Sequence, residues 1–249
     1  MRVTPLGYAT EVLRKTWGSA CLTKRLRFES VQPMDGSTRA DVIVDRLHPD
    51  EIESGARLLA ASFVGEPLFG FMFEGKDRGR VERAITPWFR GWIRSFMRQG
   101  EIHAARVGGR LGGVGVRVPP GGYPLHGTQK ALFMLRLIRG VTRMSVTSRR
   151  ALRMPSLGSQ LDRLEPKEPF WNLAWVGVSP DLQGRGVGSA LANEIVRLID
   201  TRPAPGWFVT FGPRTRALYE RRGFVVEHEV RPFEEGPVGW TMRREPSRT

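Results

Sequence analysis

The stretch FWNLAWVGVSPDLQGRGVGSALANEIVRLIDT, residues 170–201, constrains this chain more than any other. FWNLAWVGVSP (170–180) is rich in aromatic and β-branched residues and predicts a strand. RGVGSALANEIVRLIDT (185–201) places Val187, Leu191, Ile195 and Leu198 on one face and predicts an amphipathic helix. Between them, Gly184, Gly186 and Gly188 leave the main chain nearly bare. Where such a bend opens a helix, successive N–H groups point outward without partners and the helix dipole stands behind them. That nest binds phosphate oxygens, the glycines allow close approach, and Arg185 adds a countercharge. The plainer alternative is a tight turn with no ligand.

Several phosphate and catalytic patterns are excluded. The dinucleotide fingerprint needs a third glycine at 189, where this chain has Ser189, and no Gly-Lys-Ser/Thr follows the glycines. The nucleophile elbow G-x-S-x-G is absent. His48, His103, His126 and His228 are scattered, so no metal site is expected.

The rest of the chain alternates strands and helices. DVIVDRL (41–47) predicts a strand, and HPDEIESGARLLAASF (48–63) a helix opened by proline and acids. EPLFGFMF (66–73) is a short apolar segment, and residues 80–100 are helical, started or kinked at Pro87. EIHAARVGGRLGGVGVRVPPGG (101–122) predicts a hairpin whose glycines serve turns and packing. A basic helical stretch, 126–153, follows. After the nest come strand 206–211, helix 213–223, and strands 224–232 and 239–245. The hairpins need antiparallel pairing, and 170–211 allows one parallel pair with a right-handed crossover. Together these predict one mixed α/β (α+β) domain over 34–249, preceded by a partly disordered extension, 1–33.

Charge supports no strong claim of its own. The formal net charge is +14, almost wholly from arginine, and Lys130, Arg136, Arg139, Arg143, Arg149, Arg150 and Arg153 follow one another with no acid between. A solvated helix face explains this run better than an anion-binding surface, and nucleic acid is not an expected partner without a zinc-finger or RNP-type motif. A single cysteine, Cys21, rules out an internal disulfide. No apolar run approaches the ~20 residues that cross a bilayer, and no secretory signal is legible, so no membrane partner and a cytoplasmic location are expected.

The run V-x-P-x-x-Q-G-R-G-V-G-S-A-L, with Gln183, Gly186 and Gly188 as its Q-x-x-G-x-G core, resembles the acyl-CoA signature of the GCN5-related N-acetyltransferases, the GNAT superfamily. ALYERRGF (217–224) resembles the second motif of that family, with Tyr219, Gly223 and Phe224 in place. The likeness spans roughly 41–245, with an insertion at 119–169. That insertion and its PPGG resemble the puromycin N-acetyltransferase-like subgroup.

The resemblance implies a mostly antiparallel central sheet flanked by helices and splayed at the cofactor strands. It implies acetyl-CoA as co-substrate, held by Val176, Val178, Gln183, Gly184, Arg185, Gly186, Val187, Gly188 and Ser189. Its pantetheine arm would pair with Val176 and Val178 like an added strand. Val178 would offer its N–H to the thioester carbonyl, and Tyr219 would be the general acid at the sulfur. The expected acceptor is the primary amine of a small molecule or peptide, against walls drawn from Phe69, Trp88, Trp92 and Trp171. The general base stays open among Glu66, Glu101, His103 and His126. Homodimers are common in the family, which makes one an expectation here. One departure stands out: many members carry an asparagine just after the fifth strand, where TFGPRT (210–215) has Gly212 and Pro213, with Thr215 or Arg216 the nearest polar groups. An acyl-CoA-binding regulatory protein without catalysis is the alternative, and a basic nucleic-acid-associated protein the more remote one.

Overall fold

The structure is a computed structural model that describes residues 41–247, apart from 99, 123, 124 and 126. The readings of the extension 1–33, of Cys21 and of His126 fall outside these residues.

Alternating and glycine-spaced segments pair into one seven-stranded sheet of order β1-β2-β3-β4-β5-β7-β6. The strands are β1 (Val42–Arg46), β2 (Glu101–Val107), β3 (Arg110–Val118), β4 (Trp171–Val178), β5 (Gly206–Thr210), β6 (Val225–Val230) and β7 (Gly239–Arg244). All neighbours run antiparallel except β4 and β5. Gly108 and Gly109, at φ 54° and 79°, make the β2–β3 turn that the two positive φ angles require.

Helices cover both faces. On one lie α1 (Ile52–Phe63), α2 (Pro67–Met72), α3 (Arg78–Phe96), α4 (Gly127–Thr147) and α5 (Met154–Leu161); on the other lie α6 (Val187–Thr201) and α7 (Pro213–Glu220). The apolar segment 66–73 is thus a short helix opened by Pro67, and α3 runs through Pro87 unbroken. The basic stretch forms α4, which buries Phe133, Gly140 and Met144. Its outer side is less polar than a solvated face implies, since Leu132, Leu135, Ile138 and Val146 are exposed. Among the described residues no helix is long and apolar enough to cross a membrane.

Two features of β4 set up the site. The pairing with β5 extends over Trp171–Gly206 and Asn172–Trp207 alone, so the two strands part beyond Asn172. A bulge also leaves Ala174 opposite no residue of β3, between the Trp175–Val116 and Leu173–Arg117 pairs. Strict alternation would put Trp171 and Trp175 on one face. The extra residue separates them: Trp171 packs under α6, Trp175 under α1–α3.

Candidate active site

The nest forms as its glycines require. Gly184 and Gly186 adopt φ 78° and 87°, a region costly for residues with a Cβ, and Gly186 caps α6. Arg185 N–H donates back to Leu182 O at 3.4 Å, and the first helical bond is Ala190 N–H to Gly186 O. Among the described residues, the amides of Gly184, Gly186, Val187, Gly188 and Ser189 have no acceptor in the chain. Arg185 and Gln183 are exposed, Arg185 in no ion pair among the described residues and Gln183 reaching back to Val178 O at 3.4 Å. Helix α6 can lie this close because β3 carries glycine beneath it. A Cβ on Gly113 would meet Leu191 and Val187 at 2.9 Å.

The nest opens beside the gap between β4 and β5. Ser179 N–H, just past β4, donates to Gly112 O at 2.9 Å, which fixes 177 and 179 as the residues here that bond to β3. The peptide groups of Val176 and Val178 therefore face the gap, where β5 has diverged. The Val178 N–H finds Ser62 Oγ, in the last turn of α1, at 3.3 Å.

Tyr219 lies on α7 with its ring against Phe208 and Phe224, centroids 4.6 and 5.1 Å away. Only 2% of the residue is exposed, and its hydroxyl is buried without a hydrogen-bond partner among the described residues. Burial pushes the phenol up to about 12, against a smaller opposing pull from the Arg117 guanidinium. It is fully protonated at neutral pH and has a donor to spare.

Of the four aromatic residues read as pocket walls, the structure brings three together. Phe69, Trp88 and Trp92 join Phe63, Phe89 and Trp175 in one cluster on the α1–α3 face. Trp171 lies across the sheet, fully buried, its indole N–H on Arg202 O at 3.2 Å. Trp175, which sequence reasoning missed, takes that place in the cluster by virtue of the bulge.

The candidate bases separate just as sharply. Glu101 and His103 project under α6 rather than into the gap. Glu101 is held by Arg46 and Arg202, at 2.9 and 3.0 Å. Arg117, wholly buried, donates to His103 Nδ1 at 2.6 Å and to Leu191 O at 2.8 Å. A guanidinium can only donate, so Nδ1 accepts and the ring proton sits on Nε2. Burial, and then the Arg117 charge, push His103 down to about 2. It stays neutral despite Glu194 and Glu101 at 3.7 and 3.9 Å. These residues brace α6. The one sequence signal for them was an arginine at an inward position of β3.

Glu66 remains. It precedes α2, half-buried, and neither a hydrogen bond nor an ion pair engages its carboxylate among the described residues. Burial holds it above the usual carboxylate range. A Cβ at Gly212, the residue before α7, would sit 2.8 Å from Glu66 Oε2.

Residues 157–226, which hold β4, the nest, β5 and α7, match the family model of the acetyltransferase (GNAT) domain. The fold is similar to a solved structure from Corynebacterium glutamicum described as histone acetyltransferase HPA2 and related acetyltransferase. The two are 23% identical over 83% of this chain and 97% of that one, with a TM-score of 0.60. It is similar too to the C-terminal condensation domain of Ebony, solved with beta-alanyl-dopamine, at 13% identity, 83% and 99% coverage and a TM-score of 0.56. At these identities the likeness is one of fold.

Proposed function

We propose that this chain, whose residues 157–226 match the GNAT domain model, is an acetyltransferase that transfers the acetyl group of acetyl-CoA directly to a primary amine of a small molecule or peptide. The observation that carries this reading is the set of unpaired amides of Gly184, Gly186, Val187, Gly188 and Ser189 at the head of α6, beside the β4 edge that β5 leaves unpaired.

The division of labour follows from the donors available. The nest amides and Arg185 receive the pyrophosphate of the co-substrate, whose charge the α6 dipole also favours. The gap-facing peptide groups of Val176 and Val178 pair with the amides of the pantetheine arm. Ser62 Oγ stands where a thioester carbonyl oxygen would accept the Val178 N–H. A serine hydroxyl rotates away cheaply, and an oxyanion donor of this kind lowers a barrier by roughly 3–4 kcal/mol. The Tyr219 hydroxyl, unpartnered in the chain, donates to the departing sulfur. A phenol at about 12 outlasts a thiolate of ordinary basicity, ~8.5, so its main contribution is a hydrogen bond to the developing charge. Holding both reactants side by side supplies much of the remaining rate.

Calorimetric titration with acetyl-CoA tests the reading, followed by thiol release with a panel of amines. Absence of acetyl-CoA binding refutes it. Binding with silence across every amine favours the regulatory alternative.

A further inference from the structure

The base missing from that scheme has a place in the fold. The corner between α1 and α2 touches both lips of the gap: Ser62 meets Val178 at the end of β4, and Glu66 lies over Gly212 just past β5. Glu66 lies four positions after Ser62, a span of at most ~14 Å. The groups that meet a thioester and this carboxylate thus stand within the reach of one short acceptor.

The surroundings of Glu66 suit a cation. The chain has 39 lysines and arginines against 25 acids, yet none of the described cations pairs with this half-buried carboxylate. Phe63, three residues before it, is half-buried and packs edge-on to the half-buried Trp175 at 5.3 Å. Aromatic faces beside a carboxylate attract an ammonium group and the carbon chain that carries it. The absence of a side chain at residue 212 is part of the same arrangement. A Cβ there would crowd Glu66 Oε2 at 2.8 Å and Thr215 Oγ1 at 3.2 Å, so glycine leaves the carboxylate the room it occupies.

We propose that Glu66 is the acceptor-binding carboxylate and the general base, and that the substrate class is a primary amine charged at neutral pH on an aromatic or aliphatic stem. This rests on the acetyl-transfer reading above. The acceptor arrives as R–NH3+ paired to Glu66, which takes one proton and leaves a neutral amine. The nitrogen lone pair forms a bond to the thioester carbon, and the C–S bond breaks with its electron pair on sulfur. A second proton leaves nitrogen and completes the thiol. Glu66 returns its own proton to solvent, so each turnover yields amide, thiol and one proton.

The test uses the full chain, acetyl-CoA and four amines: tyramine, phenethylamine, cadaverine, and aniline, which is uncharged at neutral pH. The parent is expected to acetylate the charged amines. Glu66→Gln should lower kcat/KM for them about 100-fold, the usual size of a general-base contribution. Its acetyl-CoA dissociation constant should stay within about threefold and aniline should be less affected, since only charged amines need the carboxylate. Gly212→Ala, which displaces the carboxylate without removing it, should lower the same kcat/KM about tenfold and leave acetyl-CoA binding intact. This second variant carries the test if Glu66→Gln does not fold. A Glu66 that merely complements the α7 dipole predicts a lower melting temperature with unchanged kcat/KM, and that result overturns the proposal. So does a parent that acetylates aniline but none of the charged amines. Failure of the parent to bind acetyl-CoA, or binding with no acetylation of any of the four amines, overturns the underlying reading instead.

Discussion

Ser62 Oγ accepts the Val178 amide at 3.3 Å across 116 positions of chain, and so occupies the donor proposed above for the thioester carbonyl. A contact this long contributes little stability, about 0.5–1 kcal/mol. Ser62→Ala should therefore leave the melting temperature within a few degrees and acetyl-CoA binding no weaker than in the parent. A large loss of affinity, measured by calorimetry, would make Ser62 a ligand rather than a placeholder.

Gly186 combines a left-handed φ of 87° with a position at the mouth of the nest. Gly186→Asp adds backbone strain of about 1–2 kcal/mol and sets a carboxylate against phosphate. Acetyl-CoA affinity should fall more than ~100-fold while circular dichroism stays that of the parent, since no core residue is touched.

Tyr219→Phe separates a structural tyrosine from a functional one. Its hydroxyl is buried and unpaired, so removing it relieves a desolvation cost of about 1–3 kcal/mol. The variant should melt at or above the parent temperature, with kcat lower by roughly 10²–10³. A variant less stable but fully active would return the ring to the core.

Arg117 carries a wholly buried cation that bridges His103 and α6. Arg117→Met leaves two acceptors unpaired and should cost about 2–4 kcal/mol in denaturant unfolding. Arg117→Lys should rescue only part of that, because a single ammonium cannot span both partners as the planar fork does.

Glu165 gives a pH signature. Burial, with Asp162 beside it, pushes its carboxyl up to about 7. A folded-state value above the unfolded one means stability present below about pH 4.5 and lost as pH rises through 7. Glu165→Gln should match the parent near pH 4.5 and exceed it at pH 8 by about 1–2 kcal/mol, after allowance for solvent screening. Thermal melts at the two pH values check it; a constant offset contradicts it.

Local signals carried much of the candidate site. Glycine at 184 and 186 and the apolar face from Val187 to Leu198 set the nest and α6, because positive φ and helical spacing are written in a few neighbouring residues. The hairpin, the proline-opened helices and the second motif around Tyr219 were legible for the same reason.

What no local signal carried was decided by pairing. The faces that Trp171 and Trp175 join turned on a single bulge at Ala174, which sends Trp175 to one face and leaves Trp171 on the other. Four candidate bases looked alike in the sequence. Sheet parity put Glu101 and His103 under α6, and a corner after α1 brought Glu66 to Gly212, 146 positions on. Short-range periodicity fixes which elements form and where bare main chain is exposed. Only the assembled sheet decides which face a side chain joins, since one extra residue in a strand reverses every position after it.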